Sequence, residues 1–156
     1  MTPAMPKNDF LKDIFIIDAA RTAIGSTFKA LKEFGPSQLA SFVIKGMLER
    51  NPSAKEAVSQ VIFGNTVSAG AGQNISRRAA YLAGLPVTVP AFSVNFVCGS
   101  GLQSMIIGAQ TIGCNEAEII IAGGTESSSQ SPYLVKKSDS EKKEENLIAE
   151  QTKKIK

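Results

Sequence analysis

The spacing of apolar residues changes several times along the chain, and each change predicts an element. Residues 14–17 form an unbroken apolar run, Ile-Phe-Ile-Ile. So short a run suits a strand buried on both faces. Over residues 35–52 the period lengthens. Leu39, Phe42, Val43, Gly46 and Met47 recur at three- and four-residue steps, which places them on one face of a helix. Ser37 is expected to cap that helix and Pro52 to stop it. Strands are expected again over residues 59–67, 91–97 and 117–127. Residues 76–86 read as a short helix, with Asn74 as its cap and Gly84 as its stop. Residues 102–113 are apolar almost all round, which implies a helix buried in the core. Strands alternating with helices predict an α/β fold, with helices layered on a sheet.

After Tyr133 the composition shifts. Residues 136–156 are dense in both charge signs and nearly free of large apolar side chains. The chain therefore divides into a folded part, residues 1–135, and a charged tail, residues 136–156, expected to be solvated or disordered. The length of 156 residues and 43% hydrophobic content fit one domain. Lys plus Arg is 17 against 14 for Asp plus Glu, a net charge of +3. That excess gives no case for a nucleic-acid partner. No apolar run is long enough for a signal peptide or a bilayer span, so no membrane role and a cytoplasmic setting are expected. The two cysteines, Cys98 and Cys114, lack zinc-ligand spacing and point to a reduced compartment with no metal site.

Cys98 stands where a strand is expected to give way to a helix, followed by Gly99 and Gly101. The first amides of a helix lack internal partners, and the helix dipole puts partial positive charge there. A thiolate is favoured at such a point. The two glycines permit a sharp turn and leave room for an acyl group near the backbone. The same amides would serve as an oxyanion hole. The competing reading makes Cys98 a small core residue in a glycine turn. Cys114 falls at the opposite end of the helix, where the dipole opposes a thiolate, and reads as structural.

The segment "VNFVCGSGLQSMIIGAQTI" resembles the active-site cysteine segment of the thiolases, the acetyl-CoA acetyltransferase and 3-ketoacyl-CoA thiolase family. "AARTAIGSTFKALKE" is similar to that family's opening strand and turn. "GNTVSAGAGQNISRRAAYLAGLP" resembles its "GNV…GQNPAR" segment, and "IIIAGGTESSSQSPY" its "AGG-ESMS-AP" segment. The four motifs keep the family's order and spacing over roughly residues 14–133. The resemblance implies the N-terminal half of a thiolase fold, with layered helices and a mixed sheet missing its last strand. It implies that Cys98 is the nucleophile, acylated to a thioester, and that its backbone N–H helps form an oxyanion hole. Coenzyme A thioesters are implied as substrates, with no permanently bound cofactor, and fatty acid metabolism as the setting. The residues that bind coenzyme A are not indicated. A ketoacyl-synthase relative fits "CGSGLQS" and "AGGTES" less well.

The family's C-terminal half carries a histidine in "GHP-G-SG", a second cysteine in "C-GGG" and an asparagine in "NEAFA". None of these motifs occurs here, and the chain contains no histidine at all. The expected partner is a complementing C-terminal half or a second copy in a homo-oligomer. The alternative is a non-catalytic, truncated fragment or assembly module. Glu126, a candidate substitute base, reads instead as a buried, hydrogen-bonded structural carboxylate. Asn65, Gln73 and Asn74 read as loop and interface hydrogen bonders. Arg21 reads as a structural ion-pair or capping residue, and Arg77 and Arg78 as facing solvent or a partner chain.

Overall fold

A computed structural model describes residues 13–134; the expected tail, residues 136–156, lies outside the described residues. Three helices pack on a three-stranded sheet. In chain order the elements are α1 (Pro36–Arg50), β1 (Val58–Gly64), α2 (Ile75–Leu82), β2 (Ala91–Val94), α3 (Ser100–Gly113) and β3 (Ile119–Gly124). The strand order is β2-β1-β3 and both pairings are parallel. A mixed sheet was expected, but no antiparallel pair occurs among the described residues. Parallel neighbours need crossover connections, and α2 and α3 supply them.

Helix α1 starts two residues earlier than a Ser37 cap would dictate. Pro36, whose fixed φ suits a first helical position, follows an extended Gly35. The Gln38 side chain accepts the Gly35 N–H at 2.9 Å. Ser37 therefore lies inside the helix, buried, with its hydroxyl unpartnered. The buried face is Leu39, Ala40, Ile44 and Leu48, while Phe42 is exposed. The expected stripe was thus rotated by about one position. Ile44 is fully buried, a placement that stabilises by about 1.5–3 kcal/mol. Asn74 does cap α2: its Oδ1 accepts the Arg77 N–H at 2.9 Å. Gly84 stops α2 at φ +82°, and the Leu85 N–H returns to the Ala80 carbonyl.

Alternation along β1 directs Val61 and Phe63 towards α1 and α2, where they join Ile44, Ala79, Ala80 and Ile121 in the core. The opposite face receives α3. A side chain at Gly108 would meet Ile120 at 3.2 Å, so this helix lies close on β3. Burial of α3 is one-sided. Ser104 and Gly108 are buried, whereas Leu102, Met105 and Ile106 are exposed, which corrects the expectation of a fully enclosed helix.

The largest departure is at the start. Residues 14–17 were expected to form a buried strand, yet among the described residues they pair with no strand, and Phe15 and Ile16 are 77% and 78% exposed. Among the described residues, no backbone hydrogen bond joins residues 13–25 to the sheet. The tether is Asp18, which accepts from Arg50 Nη2 at 2.9 Å, Arg50 Nε at 3.2 Å and Asn51 Nδ2 at 2.7 Å. Arg50 beside Asp18 holds that carboxyl below its ordinary value of 3.8.

Candidate active site

The chain leaves β2 at Val94 and enters α3 at Ser100, so residues 95–99 make the whole turn. Val97 adopts φ +51°. For a β-branched residue this left-handed backbone costs roughly 1–3 kcal/mol and persists only where surroundings impose it. The imposition is visible. The Val97 N–H donates to Asn95 Oδ1 at 3.0 Å. Ser100 Oγ accepts the Phe96 N–H at 2.8 Å and donates to the Val97 carbonyl at 2.6 Å. Thr66 Oγ1 reaches the same carbonyl from the loop after β1, at 3.0 Å, and Asn95 Nδ2 donates to the Thr66 carbonyl at 2.9 Å.

Cys98 is exposed and sits one residue before Gly99, the N-cap of α3. It therefore occupies the mouth of the helix, not a core position. The adjacent amides are not all available. Gly99 N–H donates to Phe96 O at 3.0 Å and Ser100 N–H to Val97 O at 3.1 Å. The Cys98 N–H makes no hydrogen bond among the described residues. Of these three consecutive donors it alone is left for a ligand.

The glycines do different work from that expected of them. A Cβ on Gly101 would lie 3.5 Å from Gly124, and one on Gly124 would lie 3.1 Å from the Gly101 Cα. A Cβ on Gly64 would overlap the Ser100 carbonyl group. Gly64 and Gly124 thus let the start of α3 press on the ends of β1 and β3, backbone against backbone, while a side-chain carbon at Gly101 would meet only ordinary contact. Gly99 faces the Phe96 ring.

Glu126 is hydrogen-bonded as expected but is exposed, not buried. Its carboxylate accepts Asn65 Nδ2 at 3.1 Å, the Thr66 N–H at 2.7 Å and the Val67 N–H at 3.3 Å. Asn65 is buried, also donates to the Thr125 carbonyl at 2.9 Å, and leaves its Oδ1 without a partner. These residues adjoin the Cys98 turn. The others do not act there. Arg21 donates to its neighbour Thr22 at 3.0 Å. Arg77 is half-buried and donates to the carbonyls of Val87 and Val89, contrary to a solvent-facing role. Arg78 donates to Ala71 O at 2.7 Å, and Gln73 is exposed. Cys114 is exposed at the far end of α3, about 20 Å along the helix axis. No metal-binding cluster occurs among the described residues. Thr66, Asn95 and Ser100 were not singled out from the sequence. Their signal was faint: small polar residues flanking the cysteine turn and in "GNT".

An exposed cysteine at a strand-to-helix turn, beside an unpaired backbone donor and on a parallel α/β sheet, is the kind of arrangement that covalent catalysis uses. The comparisons narrow that description. The family described as "Thiolase, N-terminal domain" matches residues 14–154, and the chain belongs to the thiolase family. Acetyl-CoA acetyltransferase of Thiocystis violacea is 46% identical over 125 residues, covering 80% of this chain and 32% of that protein. The cytosolic acetyl-CoA acetyltransferase of Rattus norvegicus is 46% identical over 121 residues, covering 78% of this chain and 30% of that one. The crystal structure of the Bacillus anthracis acetyl-CoA acetyltransferase superposes with a TM-score of 0.69 at 33% identity, over 73% of this chain and 29% of its own. The chain spans about a third of the length of the curated relatives it matches. No helix among the described residues is long and apolar enough to cross a membrane.

Proposed function

We propose that the chain is the nucleophile-bearing part of a thiolase-type acyl-CoA acyltransferase, with Cys98 as the residue acylated. The observation that carries this is the unpaired Cys98 N–H beside its own exposed thiol. The sulfur attacks the carbonyl carbon of an acyl-CoA. The carbonyl oxygen gains negative charge next to that N–H. The Cys98 thiol gives its proton to solvent as the S–C bond forms, the bond from carbon to the coenzyme A sulfur breaks, and the departing coenzyme A thiolate takes one proton back from solvent. An acyl-Cys98 thioester remains. Coenzyme A thioesters are thus substrates, and no resident cofactor is invoked.

The second step passes the acyl group to the carbanion of another acyl-CoA, or in thiolysis to coenzyme A. Either direction needs a base, and the sequence contains no histidine. A complementing C-terminal half, with the histidine and second cysteine that the family resemblance implies, supplies it. Incubation with acetyl-CoA followed by intact-mass and peptide analysis is expected to find one acetyl group on Cys98 and none in Cys98→Ser. Thiolysis of acetoacetyl-CoA by this chain alone is expected to be negligible. Turnover near about 10 s⁻¹, an ordinary enzymatic rate, would refute the need for a complement.

A second reading, a non-catalytic assembly module, is favoured by the bare apolar surface on α3 and residues 14–17. Absence of the acetyl adduct together with stable association would select it.

A further inference from the structure

A peptide unit is planar and trans, so its carbonyl and its N–H point in opposite directions. The Val97 carbonyl and the Cys98 N–H belong to one such unit. Three donors converge on that carbonyl: Thr66 Oγ1 at 3.0 Å, Ser100 Oγ at 2.6 Å and the Ser100 N–H at 3.1 Å. Fixing the oxygen aims the N–H the other way. Two of these donors belong to α3 itself and would follow it if it shifted. Thr66 alone anchors the peptide from the opposite side, in the loop after β1.

Thr66 is itself held. Its N–H donates to Glu126 Oε2 at 2.7 Å, and the same carboxylate gathers the Val67 N–H at 3.3 Å and Asn65 Nδ2 at 3.1 Å. Neither ion pair found among the described residues involves Glu126. Its identified partners are N–H groups of residues 65–67. A carboxylate spent in this way is a clamp on one loop, and that loop's hydroxyl points at the nucleophile's peptide.

The geometry points to Thr66 and Glu126 as positioning residues for acyl transfer. Glu126 fixes Thr66, and Thr66 holds the Val97–Cys98 peptide so that the Cys98 N–H faces the forming oxyanion. This rests on the reading of Cys98 as the nucleophile. Neither side chain need touch the acyl group. A donor is most effective when it needs no reorientation as charge develops, and this relay removes the freedom to turn.

Two reactions at one sulfur separate this from a merely structural role. Alkylation by iodoacetamide forms the S–C bond as iodide leaves and builds no oxyanion. Acetylation by acetyl-CoA builds one. In the 156-residue chain, Thr66→Val and Glu126→Gln are expected to slow acetylation of Cys98 by at least about tenfold. Alkylation of Cys98 and Cys114 should stay unchanged. Thr66→Ser, which keeps the hydroxyl, should acetylate at the unsubstituted rate. If circular dichroism shows Glu126→Gln unfolded, the Thr66→Val and Thr66→Ser pair decides alone. A parallel fall in both reactions, or no fall in either, overturns the inference. If the unsubstituted chain is never acetylated at Cys98, the nucleophile reading fails and this inference with it. If it is acetylated and the variants match it, only the inference fails.

Discussion

Cys98 and Cys114 lie at opposite ends of one helix, and both are exposed. Accessibility therefore does not separate them, but the helix dipole does. The N-terminal end favours negative charge and the C-terminal end opposes it, each by about 0.3–1 kcal/mol. Iodoacetamide is expected to alkylate Cys98 faster by about fivefold, the rate equivalent of about 1 kcal/mol, as read by peptide mass spectrometry. Equal rates would remove the electrostatic case for the nucleophile. Two glycines give a second contrast. Gly64 touches the Ser100 backbone, so Gly64→Ala should cost at least about 2 kcal/mol in urea unfolding. Gly46 in α1 has only the tip of the Arg50 side chain nearby, at 3.7 Å. Gly46→Ala should instead stabilise by about 0.5–1 kcal/mol. The cysteine and its place at a turn were legible in the sequence because residue type and flanking glycines are local facts. The tie from Thr66 was not, since it joins residues 31 apart and only the fold reveals it.

The elements show the same division. Strands and helices followed from the apolar period wherever an element packs inside this chain, as with α2 and β1. The period misled where burial depends on something beyond the residues that pack here. Residues 14–17 carry the signature of a doubly buried strand but find no neighbour to pair with among the described residues. The hydrophobic run on α3 likewise outnumbers the contacts the sheet offers it. Ser37 failed as a cap because Gln38 reaches back to Gly35 and Pro36 already suits the first turn. The Asp18 tether makes a pH prediction for the first segment. Arg50 lowers the folded-state value of Asp18 below 3.8, so its contribution is present above the unfolded value. It is lost as pH falls through the lower, folded one. The melting-temperature gap between the unsubstituted chain and Asp18→Asn should therefore narrow as pH drops below the ordinary carboxylate range. A constant gap would show that the tether is not ionic.

At the scale of the molecule, β3 ends the sheet with one edge unpaired among the described residues. Beside it lies a cavity of about 830 Å³. All six residues of β3 line it, and so do nine consecutive residues, 14–22. A hollow on one face of a strand would be lined by alternate residues; unbroken lining means it opens on the edge. Unpaired strand edges and contiguous apolar surface drive association. The isolated chain is expected to self-associate at micromolar concentration, measured by light scattering, and Ile16→Lys should reduce that association. A monomeric, well-behaved chain would show that the edge is covered from within. The family, its fold class and a sheet one strand short were readable from four ordered motifs; the failure of residues 14–17 to join the sheet was not, because it is a relation between segments rather than a property of any one.

That open side also bears on how long the chain survives where it is made. Backbone groups left bare on a strand edge are open to unwanted pairing, and chains in that state are triaged by chaperones and proteases. Supply of a proper neighbour is then expected to govern abundance: the chain should accumulate when a covering strand is synthesised alongside it and be cleared when none arrives.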